Sequence, residues 1–283
     1  MISDKPLSGK TSMVTGANSG IGEEVALALA TMGATVVMVC RDATKGEAAR
    51  NEIITRSRNK MVELMVADLS SLASVRVLAQ KFLEVHDKLH ILVNNAGVIM
   101  GGRVVTPDHL ETTFEVNYLS HYLLTMLLLD VLKASAPSRI VNVTSGAHYN
   151  GKMDFDDLQE EKAYGAMKSY CQSKLAQVLF THELAKKLEG TGVTVNAVHP
   201  GAVRTRWGDE AGALGIGIRI ARPFMLSPEK GAQTPIYVAT SPEVEGITGK
   251  YWEKKKEKEP SKESNDENEA RLLWAVSAKL AGV

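Results

Sequence analysis

Tyr170 and Lys174 stand four residues apart in the segment Ser169-Tyr-Cys-Gln-Ser-Lys174. On a helix that spacing puts both side chains on one face, one turn apart. A free phenol titrates near ~10, too high for efficient proton transfer at neutral pH. A fixed ammonium beside it favours the phenolate, so the pair offers a proton donor and acceptor tuned toward cellular pH. A second segment with chemical potential is Thr15-Gly-Ala-Asn-Ser-Gly-Ile-Gly22. Gly16, Gly20 and Gly22 let the backbone turn sharply and come close to a pyrophosphate. A helix starting there presents unpaired N–H groups and its positive dipole end to that anion. The turn residues Gly16, Asn18, Ser19, Gly20, Ile21 and Gly22 are therefore expected to hold a dinucleotide. At the end of the next apolar run, Cys40 occupies the place where an NAD-selective site usually carries an acid for the ribose 2′-hydroxyl. Arg41 follows at once and Lys45 four residues on. Two cations there suit a 2′-phosphate, so the expected cofactor is NADP(H). Asp42 is also within a loop's reach of the ribose, and is a candidate N-cap for the following helix.

These residues need a frame to bring them together, and the hydropathy pattern supplies one. Apolar runs of strand length, 12–15, 35–40, 62–67, 91–94, 140–143 and 193–198, alternate with helical stretches. The helices are expected at 21–32, 43–57, 72–85, 110–134 and 166–188, with an amphipathic tail over 270–280. Alternation at this spacing implies an α/β fold, a Rossmann-type open parallel sheet with helices on both faces. With 283 residues and no shift in composition along the chain, a single domain spanning 1–283 is expected. Two stretches depart from the pattern: a mostly polar insertion at 146–165, and a Gly-rich, apolar segment at 205–226 expected as a substrate lid. The dense mixed-charge run 254–269 is expected as a solvated loop and helix start. Net charge is zero, which gives no electrostatic reason to expect a nucleic-acid or anionic-membrane partner. Two cysteines, Cys40 and Cys171, make neither a disulfide framework nor a metal set. The opening residues lack the apolar core of a signal peptide, and no run is long enough to span a bilayer. A cytoplasmic protein is expected.

With the glycine turn, Asn94-Asn-Ala-Gly97 and Tyr170-x-x-x-Lys174 in that order, the chain resembles the short-chain dehydrogenase/reductase family from about Gly9 to Trp252. The resemblance implies a catalytic set of Asn117, Ser145, Tyr170 and Lys174. Tyr170 would be the general acid in reduction and the base in oxidation. Lys174 would lower its pKa and hold the nicotinamide ribose. Ser145, in Asn142-Val-Thr-Ser145, would hydrogen-bond the substrate carbonyl oxygen, with Thr144 as its nearest rival. Asn117 would anchor a water leading protons toward the lysine. The resemblance also implies adenine contacts from Asp68 and Leu69, a cofactor wall from Asn95, Ala96 and Gly97, and carboxamide contacts from the Pro200-Gly-Ala-Val-Arg-Thr205 motif, chiefly Val203 and Thr205. His199 is expected to be structural. His148 is either a substrate neighbour or an exposed loop residue.

Within the family, Cys40-Arg-Asp42, Ala147-His148, the long serine-to-tyrosine insertion and His199-Pro-Gly201 resemble the retinol dehydrogenase branch. The implied activity is NADP(H)-dependent hydride transfer between nicotinamide and a carbonyl or alcohol. Ile216, Ile218, Phe224 and Met225 suggest that the small-molecule substrate is apolar. Two other readings are a non-catalytic nucleotide-sensing protein and a protochlorophyllide-type double-bond reductase. Family members often pair through the helices here placed at 110–134 and 166–188, which makes a homo-oligomer an open expectation.

Overall fold

The computed structural model describes residues 5–204, 211, 212, 215, 223 and 225–283. Most of the stretch expected as a lid, with Thr205, Ile216, Ile218 and Phe224, lies outside them. Eight strands form one sheet: β1 (Thr11–Thr15), β2 (Thr35–Cys40), β3 (Val62–Val66), β4 (Ile91–Asn94), β5 (Ser138–Val143), β6 (Val193–His199), β7 (Tyr251–Glu253) and β8 (Lys256–Lys258). Their order is β3-β2-β1-β4-β5-β6-β7-β8, parallel up to β7 and antiparallel for the last pair. The order reverses between β1 and β4, so the loops after those two strands diverge and leave a crevice at the carboxyl edge.

The inner strands are apolar on both faces, as a doubly covered sheet requires. Met13 faces one core and Val14 the other, and Leu92 and Val93 divide in the same way. On one side pack α1 (Gly20–Thr31), α2 (Ala43–Ser57) and α8 (Pro228–Thr240). On the other pack α3 (Leu72–Val85), α5 (Ser120–Leu127), α6 (Leu129–Ala134), α7 (Ala166–Lys187) and the C-terminal α9 (Glu267–Ala281). Helix α9 lies over α7. Trp274 stacks on Phe180 at 5.9 Å and meets Tyr122 edge-on at 5.3 Å, while the Tyr118 hydroxyl bonds Ser277 at 2.7 Å. Among the described residues no helix is long and apolar enough to cross a membrane.

Three local expectations change. The segment 110–134 is not one helix: a short α4 (Thr112–Phe114) runs into a π turn at Glu115–Leu119, and a break at Leu128 separates α5 from α6. The run after Trp252 is not a plain solvated loop, because Lys256–Lys258 pairs with β7 across a two-residue turn. Lys254 and Lys255 both have positive φ there, 51° and 60°. That hairpin geometry normally selects Asn-Gly, so the sequence carries no turn signal for it. Helix α8 went unassigned in the sequence, although Ser227 caps it and Pro228 starts it, the ordinary helix-opening pair.

Candidate active site

The glycine turn closes where β1 meets α1. Gly16 and Gly20 have φ of +66° and +63°, a region open to glycine and costly for other residues. A Cβ on Gly16 would stand 3.0 Å from the Ala96 backbone, and one on Gly22 would collide with Asn95 Nδ2 and the Gly16 carbonyl. Asn95 pins the turn by donating from Nδ2 to the Thr15 carbonyl at 2.8 Å. Ser19, the N-cap of α1, makes no side-chain cap bond, which leaves the first N–H groups of the helix to an incoming anion. Asn18, Ser19, Gly20 and Ile21 are all half-buried around this cradle. A pyrophosphate fits such a backbone, and any added side chain on Gly16 or Gly22 would fill it.

On the rim beside the turn Asp42 takes the N-cap place of α2. Its carboxylate accepts from the Lys45 backbone N–H at 3.0 Å and pairs with Lys45 Nζ at 3.4 Å, so it caps α2 as expected. Those bonds hold its carboxyl below the usual range, the backbone N–H of Lys45 contributing most. Arg41 and Lys45 are exposed on this rim. Cys40 is buried, and burial, aided by Asp42 and Glu47, pushes its thiol up to about 11, so it stays neutral. Further along the edge, Asp68 is half-buried with Oδ1 held by Ser70, and Leu69 is buried beside it.

Tyr170 and Lys174 sit on one face of α7, as their spacing requires, with Lys174 Nζ 5.6 Å from the centre of the Tyr170 ring. The ring packs among Ile99, Ala147, Ala166 and Ala211. Serines on both sides of Tyr170 pin the helix. Ser169 donates to the buried Glu111 carboxylate at 2.7 Å, and Ser173 accepts from Asn117 Nδ2 at 3.0 Å. Lys174 is 4% exposed; its Nζ donates to the Val143 carbonyl at 3.2 Å and to Gln177 Oε1 at 2.9 Å. Burial pushes its pKa down to about 7. Gly97 lies opposite: a Cβ there would be 3.6 Å from Nζ, so the lysine faces the Asn95–Gly97 segment.

Asn117 stands in the π turn, fully buried. Its carboxamide is spent on Val98 and Ser173, and its backbone carbonyl receives His121 Nδ1 at 3.1 Å. Since a carbonyl only accepts, that ring nitrogen carries the proton, and Nε2, 3.0 Å from Thr15 Oγ1, accepts the threonine hydroxyl. Burial drives His121 down to about 3, which keeps it neutral. Thr15 Oγ1 in turn receives the N–H groups of Asn95 at 2.9 Å and Ala96 at 3.0 Å. One hydrogen-bonded chain thus joins the glycine turn, the Asn95–Ala96 segment and Asn117. Sequence reading passed over Thr15, His121 and Gln177; polar residues inside otherwise apolar strands and helices were the available signal.

Thr144 and Ser145 have different surroundings at the end of β5. Thr144 is 3% exposed and donates to the Lys174 carbonyl at 2.9 Å, tying β5 to α7. Ser145 is half-exposed at the strand end, where its Oγ accepts from the Ala147 N–H at 3.2 Å and keeps its own proton to donate. His199 accepts through Nδ1 from the Gly146 N–H at 3.1 Å, a structural place. His148 fits neither of its expected roles, being wholly buried. It donates from Nδ1 to the Ser145 carbonyl at 2.7 Å and accepts from the Ser261 N–H at 3.1 Å. The 146–165 insertion is tied down by Arg103 to the Gln159 carbonyl at 2.9 Å, Tyr164 to the Met100 carbonyl at 2.9 Å and Gln172 to the Leu158 carbonyl at 3.0 Å. Pro200 is half-buried, and Val203 is packed against Gly231. Among the described residues no cluster of His, Cys, Asp and Glu could hold a metal ion.

A sequence profile of the short chain dehydrogenase family matches residues 10–214. Retinol dehydrogenase 13 from Homo sapiens is 48% identical over 282 residues, covering 97% of this chain and 85% of the relative. An uncharacterised protein from Mycobacterium paratuberculosis has a similar structure, with a TM-score of 0.80, 31% identity and coverage of 99% and 96%. The RhlG/NADP active-site complex from Pseudomonas aeruginosa has a TM-score of 0.70 at 28% identity, covering 89% of this chain and 96% of that one.

Proposed function

The chain belongs to the short-chain dehydrogenase family, and from that premise we propose that it is an NADP(H)-dependent oxidoreductase acting on an apolar aldehyde or ketone and the matching alcohol. The observation that carries this reading is Lys174, a buried ammonium one turn from Tyr170 and facing Gly97, bonded to the Val143 carbonyl and Gln177 Oε1 and in no ion pair among the described residues. A structural lysine buried at this depth would be expected to have a counter-ion. This one has two carbonyl acceptors and faces a glycine.

The cradle at Gly16 to Gly22 would hold the pyrophosphate, and Arg41 with Lys45 would hold the 2′-phosphate. Asp68 and Leu69 would flank the adenine, and Asn95, Ala96, Gly97, Pro200, Val203 and Thr205 would line the rest. When bound, the cofactor supplies or takes the hydride. The other steps fall to the chain. Ser145 directs its hydroxyl proton at the substrate oxygen and stabilises the charge growing there. Tyr170 gives that oxygen its proton in reduction and removes it in oxidation. Lys174 would hold the ribose hydroxyls and shape the field around the phenol. Asn117, locked to Val98 and Ser173, fixes the two segments that carry the wall and the tyrosine. The apolar neighbours Ile99, Ala147, Ala166 and Ala211 favour a hydrocarbon-rich substrate, and the kinship with a retinol dehydrogenase supports the same class.

The test is NADPH consumption against a panel of aldehydes and ketones, retinal included, with Tyr170→Phe as control. Turnover that falls by ~10²–10⁴-fold in the variant supports the reading. NADPH binding with no turnover on any carbonyl would favour a nucleotide-sensing role instead.

A further inference from the structure

Gln177 lies one turn beyond Lys174 on α7, 2% exposed, and nothing in the family motif assigns it a role. Its Oε1 accepts from Lys174 Nζ at 2.9 Å. Its Nε2 is buried with no hydrogen-bond partner. A buried amide donor left unpaired is destabilising. The obvious relief, rotating the carboxamide by half a turn, would aim an N–H at an ammonium that only donates. The lysine therefore fixes the orientation of the glutamine and the glutamine fixes the lysine.

Lys174 has three donors on its ammonium. One goes to the Val143 carbonyl and one to Gln177, which leaves a third for the side facing Gly97 and the ribose. We propose that Gln177 is the positioning residue for Lys174, orienting its ammonium so that the remaining N–H points at the cofactor. The backbone around the pair is held separately. Thr181 bonds the Gln177 carbonyl at 2.7 Å and receives Asn142 Nδ2 at 2.9 Å, and Asn142 in turn receives Asn94 Nδ2 at 2.9 Å. Asn94 Oδ1 is also buried and unpartnered, so this polar layer behind the lysine leaves one acceptor and one donor unmatched. Among the described residues, the other titratable groups facing the ammonium are Tyr170 on its own helix and His121 from α5. Neither duplicates a fixed oxygen acceptor at hydrogen-bond distance.

The inference rests on Lys174 serving the cofactor, and its test is chosen to read the lysine without turnover. The titration of Lys174 is followed by NMR of selectively labelled lysine in the cofactor-free protein, with the signal assigned by its loss in Lys174→Arg. Gln177→Leu removes the acceptor and should lower the midpoint by ~0.5 pH units or more, whereas Gln177→Glu supplies an anion and should raise it by about one to three units. Gln177→Asn, which keeps a carboxamide on a shorter stem, should fall between wild type and Gln177→Leu. NADPH affinity, read by fluorescence, should weaken at least ~5-fold in Gln177→Leu. Shifts of opposite sign support the positioning role even if no carbonyl is ever turned over. Identical midpoints in wild type and Gln177→Glu, or shifts of the same sign in Leu and Glu, overturn it. If Gln177→Leu does not fold, the comparison of Gln177→Glu with wild type still decides.

Discussion

The carboxamide of Asn117 grips both backbone polar atoms of Val98: Oδ1 accepts from its N–H at 2.7 Å and Nδ2 donates to its carbonyl at 3.0 Å. This pairing holds the π turn against the loop after β4, and a third bond to Ser173 ties both to the helix of Tyr170 and Lys174. Asn117→Ala would take both partners from the half-buried backbone of Val98 and one from Ser173, which keeps its bond to the Tyr170 carbonyl. The expected cost is about 2–4 kcal/mol in urea unfolding, together with a fall in kcat larger than any change in NADPH affinity. A loss below ~1 kcal/mol would show that the clamp is not a main support.

Ser145 and Thr144 should separate by effect. Ser145→Ala is expected to lower kcat by ~10²–10³-fold with NADPH affinity within a few fold of wild type, since the proposed role of the hydroxyl is to act on developing charge. Thr144→Val removes the bond to the Lys174 carbonyl, with an expected loss of about 1 kcal/mol of stability and most of kcat retained. The reverse pattern in steady-state kinetics would reassign the oxygen pocket.

Arg41→Asp tests the 2′-phosphate. Losing a charge-assisted contact and adding a like charge should raise the NADPH Kd by ~10–100-fold and leave the NADH Kd unchanged or lower. Isothermal titration with both cofactors reads this, and equal effects on the two would contradict the assignment. Asp42 should not compensate, because its carboxylate is committed to the start of α2.

Much of this arrangement was legible in the chain. Strands with both faces apolar, such as Val36 to Cys40, and the one-turn spacing of Tyr170 and Lys174 are local patterns that survive folding unchanged. The Lys254–Lys255 turn was illegible because its geometry is imposed by strand pairing rather than by residue preference. The π turn at Glu115–Leu119 carries Asn117, whose bond to Val98 joins segments 19 residues apart and is invisible to periodicity. His148 looked like a loop residue because Ser261, the partner that buries it, is 113 positions away. Gln177 and His121 were silent for a related reason: each is defined by its bonds to residues of the site, not by a motif.

Glu115 provides a pH test. It is fully buried in the π turn, and burial raises its carboxyl to about 8, with Thr106 donating to it at 2.5 Å. Between pH 4.5 and 8 the folded chain keeps a proton there that the unfolded chain loses, so this residue lowers stability as pH rises. Glu115→Gln stays neutral throughout. Its stability relative to wild type should therefore climb across that window by up to about 1.4 kcal/mol per pH unit, as read by urea unfolding at a series of pH values. A constant difference would mean the carboxyl titrates normally.

The most direct test of the central claim is the path of the hydride. Retinal, as an apolar aldehyde probe, is incubated with the protein and NADPH deuterated in turn at each of the two positions on the reactive carbon of its ring, and the product is analysed by mass spectrometry. The site built on Tyr170, Lys174 and Ser145 predicts one deuterium on the carbon that becomes the carbinol, from one of the two labelled cofactors only, and its loss in Tyr170→Phe. Unreacted aldehyde in the presence of bound NADPH, with the rest of a carbonyl panel equally inert, would contradict the oxidoreductase reading.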